Sequence, residues 1–325
     1  MTAAEGASTS PVTARAVAFV AARRESAEAI GRALADSIHE PTEFAAELRR
    51  GLASLADPEY LAAQRLIAPG IGPLLGVRWP LNAAVARGFR GATRSVSSSS
   101  LLQVADRLLG EDALELHWFA FGLLERVVTT DPEQAWQLLR RAARQAGDWI
   151  TVDSLAHPYG RGILREPFRW AELEQLVFSP SRWERRLVGS TVATIPFVDH
   201  ATGRELNVAA RGLGMIADLI GDDEPDVQKA LAWALRSLVL VDVDAVAAFC
   251  RAEAAVAAAT DDGHRAWVIR DVLARLDAGT ANEIRSVLAG VRRRTGDPAT
   301  SRASETRARF GSPTIARGAS GPPLT

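Results

Sequence analysis

An indole and a carboxylate lie four positions apart in residues 148–154, which read DWITVDS. On a helix, positions i and i+4 project from the same face, so Trp149 and Asp153 would stand side by side. A carboxylate beside an aromatic face suits a cation, because the acid supplies charge and the ring supplies a quadrupole. A core tryptophan followed by an exposed acid would give the same pattern, so this segment alone leaves both interpretations open.

A second tryptophan is flanked by basic residues in the segment 227–238, VQKALAWALRSL. At about 100° per residue, its apolar side chains share one face of a helix: Val227, Leu231, Ala234, Leu235 and Leu238. Lys229, Trp233 and Arg236 share the opposite face. Basic residues interleaved with an aromatic side chain fit nucleic acid. Packing of Trp233 against a neighbouring element is the alternative.

A third candidate segment begins at Trp183 and contains Arg186. The helical wheel places Arg186 with three small residues: Gly189, Ser190 and Ala193. Small neighbours would leave room for a phosphate to approach the guanidinium. The alternative is an ordinary ion pair, with Glu184 or with a neighbouring helix.

Other kinds of site have no pattern to support them. The five histidines are scattered without metal-ligand spacing: His39, His117, His157, His200 and His264. Neither a glycine-rich phosphate loop nor a Gly-x-Ser-x-Gly nucleophile elbow occurs. Cys250 is the single cysteine, which excludes an internal disulfide and fits the cytosol. We therefore expect no metal site and no cofactor.

The elements that must position these residues are helices. Strand patterns are nearly absent, whereas alanine- and leucine-rich segments recur between turn residues. Asp57 before Pro58 is a typical helix N-cap. The predicted helices are 13–37, 41–55, 58–67, 79–90, 98–109, 111–128, 131–146, 148–157, 169–177, 180–195, 203–220, 224–239, 242–258, 263–277 and 279–294.

The spacing of the helices predicts an all-α protein of the helical-repeat type. From residue 111 onward the helices come in pairs about 35–45 residues apart, which is the period of HEAT-like repeats. Such repeats stack into a curved solenoid with a concave binding face. We expect a repeat domain over 13–294, between a disordered tail at 1–12 and a disordered tail rich in Arg, Ser, Gly and Pro at 295–325.

The composition bounds the function without deciding it. The chain has 325 residues, 47% of them hydrophobic, and a net charge of −1. No apolar run approaches the length of a membrane span, and the N-terminus lacks a signal pattern, so we expect a cytoplasmic protein. A net charge near zero disfavours a small, strongly basic DNA-binding domain, although the distribution of charge over the surface matters more than the net charge. Lys229 is the only lysine, so nearly all of the basic residues are arginines. Arginine suits contact with phosphate, but a GC-rich genome explains the preference for arginine over lysine equally well.

The three segments, in this order and spacing, resemble the DNA alkylation repair family of AlkD-like glycosylases. The family pattern has a Trp-x-x-x-Asp-Ser segment, then a Trp-x-x-Arg helix, then a Lys-Ala-x-x-Trp-x-Leu-Arg helix. Upstream, the segment 75–80 (LGVRWP) looks like the family's Gly-Val-Arg-x-Pro turn, and 115–120 (ELHWFA) like its early helix-opening segment. The similarity covers about residues 40–280.

The resemblance implies a C-shaped HEAT-repeat solenoid that binds duplex DNA. It implies a glycosylase that hydrolyses the N-glycosidic bond of positively charged purines alkylated at N3 or N7. Asp153 would be the catalytic carboxylate, and Trp149 and Trp233 would line the damaged nucleotide. The expected DNA contacts are Arg186, Lys229, Arg236 and Arg78.

The expected protein acts as a monomer, without cofactor, and is associated with the nucleoid when bound to double-stranded DNA. The resemblance to this family implies that the lesion stays largely stacked instead of entering a deep pocket. Two other classes remain open: a non-catalytic DNA-structure binder on the same scaffold, and a HEAT-type protein-interaction scaffold. The sequence does not separate housekeeping repair from self-protection against a DNA-alkylating natural product.

Overall fold

The structure, a computed structural model, describes residues 11–310. Within that range the chain forms 16 α-helices and no β-strand, which confirms the all-α prediction. None of these helices has the length and apolar character needed to cross a membrane. The chain divides into two compact units between Arg165 and Glu166.

The described part of the first unit contains α1 (Pro11–Ala33), α2 (Pro41–Ser54), α3 (Pro58–Ile67), α4 (Trp79–Ala92), α5 (Ser98–Leu108), α6 (Leu114–Val127), α7 (Pro132–Gln145) and α8 (Trp149–Arg165). That of the second contains α9 (Trp170–Leu176), α10 (Arg182–Val198), α11 (Leu206–Leu219), α12 (Pro225–Leu238), α13 (Val243–Thr260), α14 (Gly263–Val272), α15 (Ala278–Val287) and α16 (Arg302–Phe310). Short 3-10 turns precede α9 and α11 and follow α14.

Helix α8 runs through a proline at which the sequence predicted that it would end. The predicted helix covered 148–157, whereas α8 continues through Pro158 to Arg165. Proline costs a helix one hydrogen bond, but the turns beyond it are buried. The ring of Tyr159 lies 4.5 Å from that of Trp136 on α7, and Gly162 packs directly on the same indole. Tertiary packing therefore offsets the break and fixes α8 against α7.

In the second unit, helices α10, α12 and α14 form one layer of parallel neighbours. A Cβ at Gly189 of α10 would lie 2.9 Å from the backbone of Ala230 on α12, so the two helices nearly touch. Helix α11 packs against this layer, with Gly212 facing Leu238. This arrangement of paired helices is compatible with a helical-repeat solenoid. The C shape, the concave face and a single repeat domain over 13–294 stay predictions.

The expected C-terminal tail contains an ordered segment, which corrects that boundary. Residues 302–310 form α16, and Ser301 and Ala303 are fully buried. The backbone amide of Thr300 donates to the carbonyl of Gly221 at 2.8 Å. Gly221 has a φ of 97°, and a side chain there would collide with Thr300. The segment is ordered because unit 2 offers it specific partners. Residues 1–10 and 311–325 lie outside the described range.

The single cysteine is part of the core. Cys250 on α13 is fully buried, and burial, with a smaller effect of Glu253, raises the pKa of its thiol to about 12. We therefore expect Cys250 in the native protein to resist a thiol reagent at pH 8 and to react once the chain is unfolded in denaturant. Because the unfolded thiol ionises near 9, stability should fall as pH rises above that value. Rapid labelling of the native protein would contradict this account.

Candidate functional site

Helix α8 begins with the acid and indole that the sequence singled out. Asp148 is buried, and its Oδ1 accepts the backbone N–H of Thr151 at 2.9 Å, as an N-cap does. Trp149 and Asp153 are both half-buried. A capped first turn fixes their backbone, and the i, i+4 spacing puts them on one face of α8. The structure thus favours a shared, partly accessible face over a core tryptophan with a solvated acid.

Two further tryptophans lie near the start of α8. The Nε1 of Trp118, on α6, donates to the Oγ1 of Thr151 at 3.4 Å. The indole of Trp79, at the start of α4, packs edge-on against Trp118 with ring centroids 6.5 Å apart and is 58% exposed. Sequence reasoning gave neither residue a role, because nothing local to α4 or α6 shows that they approach α8.

His157 has a carboxylate partner on another helix. Its Nδ1 lies 3.0 Å from Glu125 Oε1 on α6, and the Nε of Arg161 donates to the same oxygen at 3.0 Å. Burial opposes ionisation of Glu125, but the hydrogen bonds and charges of His157 and Arg161 outweigh it and lower the pKa of this carboxyl. His157 therefore helps to join α8 to α6.

The two upstream segments of the resemblance, 75–80 and 115–120, contact each other at the turn before α4. The carboxylate of Glu115, which is 2% exposed, accepts three backbone N–H groups, from Leu75 at 3.0 Å, Gly76 at 2.8 Å and Val77 at 3.3 Å. A buried carboxylate satisfied by backbone donors holds a turn in one conformation. Glu115 is therefore a structural residue whose partners, about 40 positions away, no local pattern reveals.

Arg78 was expected to contact DNA, and the structure gives it a partner within the protein. Its Nε donates to Asp57 Oδ2 at 2.8 Å, and its side chain is 19% exposed. The guanidinium also lies 5.1 Å from the ring centre of Tyr60. Asp57 caps α3 through the amides of Glu59 and Tyr60 as predicted and in addition binds Arg78. The guanidinium thus joins α3 to the start of α4, and its contact with DNA stays a prediction.

Arg186 is also less accessible than the helical wheel implied. Its side chain is 6% exposed, and its Nη1 donates to the backbone carbonyl of Asp226 at 2.6 Å. The small residues beside it serve another purpose, since Gly189 admits the backbone of α12 at Ala230. The space predicted for a phosphate is filled by a neighbouring helix. Any contact of Arg186 with DNA would involve the edge of an already engaged guanidinium.

The arginine beside it forms a buried ion pair that sequence reasoning missed. Arg185 donates to both carboxylate oxygens of Asp222, from Nε at 2.8 Å and from Nη2 at 3.3 Å. Its Nη1 donates to the carbonyls of Ser179 and Pro180, each at 3.0 Å. Asp222 is fully buried. This pair joins the start of α10 to the turn before α12 and so sets the position of both helices.

Helix α12 presents the predicted aromatic and basic face. The five residues expected on the core face are all buried: Val227, Leu231, Ala234, Leu235 and Leu238. Lys229 is exposed and Trp233 half-buried. Within residues 11–310 Lys229 has no ion-pair partner, whereas Arg236 pairs with Asp271 on α14. Burial, and to a smaller extent the charge of Arg275, lowers the pKa of Arg236.

The predicted site residues fall into two sets, one in each unit. Trp149 and Asp153 belong to the first unit and stand on one face of α8. Arg186, Lys229 and Trp233 belong to the second. Their meeting at one substrate stays a prediction. No group of three or more His, Cys, Asp or Glu side chains in the described range is arranged to hold a metal ion.

Comparison with known proteins supplies the family. A search of curated proteins found no match. The family model described as DNA alkylation repair enzyme matches residues 48–263, which is more than half of the chain and includes α8, α10 and α12. The chain belongs to the DNA alkylation repair enzyme family.

Proposed function

We propose that this protein is a DNA glycosylase that removes positively charged, N3- or N7-alkylated purines from duplex DNA. The observation that carries the proposal is the pairing of Asp153 with Trp149 on a partly accessible face of α8, in a chain of a DNA alkylation repair family. That face joins a negative charge to an aromatic quadrupole, and both stabilise a cation.

The reaction needs no strong general acid from the protein, because an alkylated purine is already a good leaving group. The bond between C1′ of the sugar and the purine nitrogen breaks, and its electron pair neutralises the positive charge of the base. An oxocarbenium-like sugar forms, as in other glycoside hydrolyses. Asp153 stabilises that cation and orients the water, whose oxygen bonds to C1′ while a proton is lost. The base is replaced by a hydroxyl group without oxidant, reductant or metal.

The second unit binds the same duplex in this proposal. Trp233 supplies a second aromatic surface beside the damaged nucleotide, and the exposed Lys229 contacts phosphate. The partly paired Arg236 adds positive charge on the same side of α12. No deep base pocket is invoked; the lesion stays largely stacked while the sugar and backbone contact the protein.

The test is release of free base from duplexes that each contain one lesion. We expect release of 3-methyladenine and 7-methylguanine, because each of these bases is positively charged in DNA and leaves as a neutral molecule. We expect none from a duplex with a neutral lesion such as 8-oxoguanine, because no general acid is provided to protonate a neutral base. Salt-sensitive binding without release would indicate a non-catalytic DNA binder, and absence of binding would indicate a protein-interaction scaffold.

A further inference from the structure

Helix α14 repeats the aromatic arrangement of α12 one helix further along. Contacts between the two helices advance in the same direction, from Gln228 with His264 to Arg236 with Asp271. The two helices are therefore parallel neighbours. A helix turns by about 100° per residue. On this basis Trp267 points in the same direction from the axis of α14 as Trp233 does from the axis of α12, each relative to the preceding helix of the layer.

A guanidinium from the C-terminal segment covers this tryptophan. The Cζ of Arg293 lies 5.4 Å from the centre of the Trp267 ring. Its Nη1 donates to the Oε1 of Gln228 at 2.6 Å. Since Gln228 precedes Lys229, Arg293 lies between α14 and the start of α12. Trp267 is half-buried and Arg293 exposed.

The backbone that carries Arg293 is fixed from several sides. His264 Nε2 bonds the carbonyl of Asp297 at 3.0 Å, and Arg270 donates to the carbonyl of Val291 at 2.8 Å. At Gly263 the chain approaches so closely that an added Cβ would lie 2.4 Å from the Cα of Arg293. Such a framework holds the arginine in one place, which lowers the entropy lost when it binds a ligand.

The surroundings are strongly basic. The cations on and next to this surface are Lys229, Arg236, Arg275, Arg292, Arg293 and Arg294. The carboxylates nearby are those of Asp271, which pairs with Arg236, and of Asp261 and Asp297, which both contact Arg294. An arginine stacked on an indole keeps the edge of its guanidinium available for phosphate. The surface is continuous with Lys229 and Trp233, to which the proposed function assigns DNA.

From this geometry we propose that Arg293, oriented by Trp267, is a phosphate-binding residue that extends the duplex-binding surface beyond α12. The proposal rests on the proposed function in taking duplex DNA as the partner. Both residues lie outside the region matched by the family model, which ends at residue 263. The C-terminal segment thus adds to the DNA surface of the chain, and Trp267 acts as a positioning residue.

The test measures binding of an undamaged duplex over a range of salt concentrations. The variants are Arg293→Gln, Trp267→Leu, their combination, and the control Arg285→Gln. Arg285 is an exposed arginine of α15 whose side chain donates to Asn282. One lost phosphate contact should reduce the slope of log K against log salt by about 0.9. We expect this reduction for Arg293→Gln and an unchanged slope for Arg285→Gln. Melting temperatures check that each variant is folded.

A double-mutant cycle tests the positioning role of Trp267. If the indole acts through Arg293, Trp267→Leu should weaken binding in the wild-type background and have no further effect in Arg293→Gln. Additive losses would contradict the positioning role, and equal salt slopes for wild type and Arg293→Gln would overturn the proposal.

Base release separates this proposal from the proposed function. At saturating protein, the control variant Arg285→Gln should release base at the single-turnover rate of wild type. Wild-type release with unchanged salt slopes would reject only the role of Arg293. DNA binding with the expected slope change but no release would reject only glycosylase activity. A wild-type protein that does not bind duplex DNA would reject both.

Discussion

Replacement of Asp153 by asparagine should nearly abolish base release while duplex binding stays close to that of wild type. The amide preserves the shape and most hydrogen bonding of the carboxylate but removes the charge that stabilises the sugar cation. Loss of one electrostatic contact to a transition state costs about 10²–10³ in rate. Because charged lesions also depurinate spontaneously, the rate is measured in single turnover and corrected for release without protein.

Asp36→Asn provides the matched control for Asp153→Asn. Asp36 is an exposed acid of the same unit in the turn between α1 and α2, so its substitution changes the net charge equally without altering α8. The control variant should release base at the wild-type rate. Equal rates for Asp153→Asn and wild type would remove Asp153 from the mechanism.

Among the substitutions proposed here, replacement of Asp222 by alanine should cause the largest decrease in the free energy of unfolding. Asp222 is the buried partner of Arg185, and Arg307 of α16 lies 3.7 Å from the same carboxylate oxygen. Removing the acid leaves a buried guanidinium without a counter-charge, which costs about 3–5 kcal/mol. It also weakens the attachment of α16, because the charge that attracts Arg307 is lost.

The measurement for Asp222→Ala is the free energy of unfolding in denaturant, with the neighbouring Asp223→Ala as the control. Asp223 is exposed, so its loss should cost little. Similar unfolding free energies for the two variants would show that the ion pair does not hold α10 to α12. Release activity should persist in whatever fraction of Asp222→Ala remains folded, because the pair contacts no proposed substrate group.

Helical periodicity predicted the elements, and on α12 it also predicted the faces. Lys229 and Trp233 lie where the wheel put them because the apolar residues of that helix occupy one continuous side. The wheel failed for Arg186, since it shows which residues share a face but not which helix packs on that face. The small size of Gly189 suggested space for a ligand beside Arg186, but the backbone of α12 at Ala230 occupies that space.

Long-range polar contacts account for most of what the sequence did not reveal. Arg78 binds Asp57 across 21 positions, a contact that no local pattern indicates. The order at Ser301 depends on a turn about 80 positions earlier, whereas local composition predicted a tail. Pro158 was expected to end α8, but burial of the following turn continues it. In each case a tertiary partner outweighed a local preference.

Glycosylase activity is measured most directly as single-turnover excision of 7-methylguanine from a duplex by the unaltered protein. Protein is held in excess over DNA, and free 7-methylguanine is quantified against the same duplex incubated alone. We expect release well above the spontaneous rate, leaving an abasic site in otherwise intact DNA. Release at the spontaneous rate, with the duplex fully bound, would contradict it and show that the carboxylate of α8 performs no catalysis.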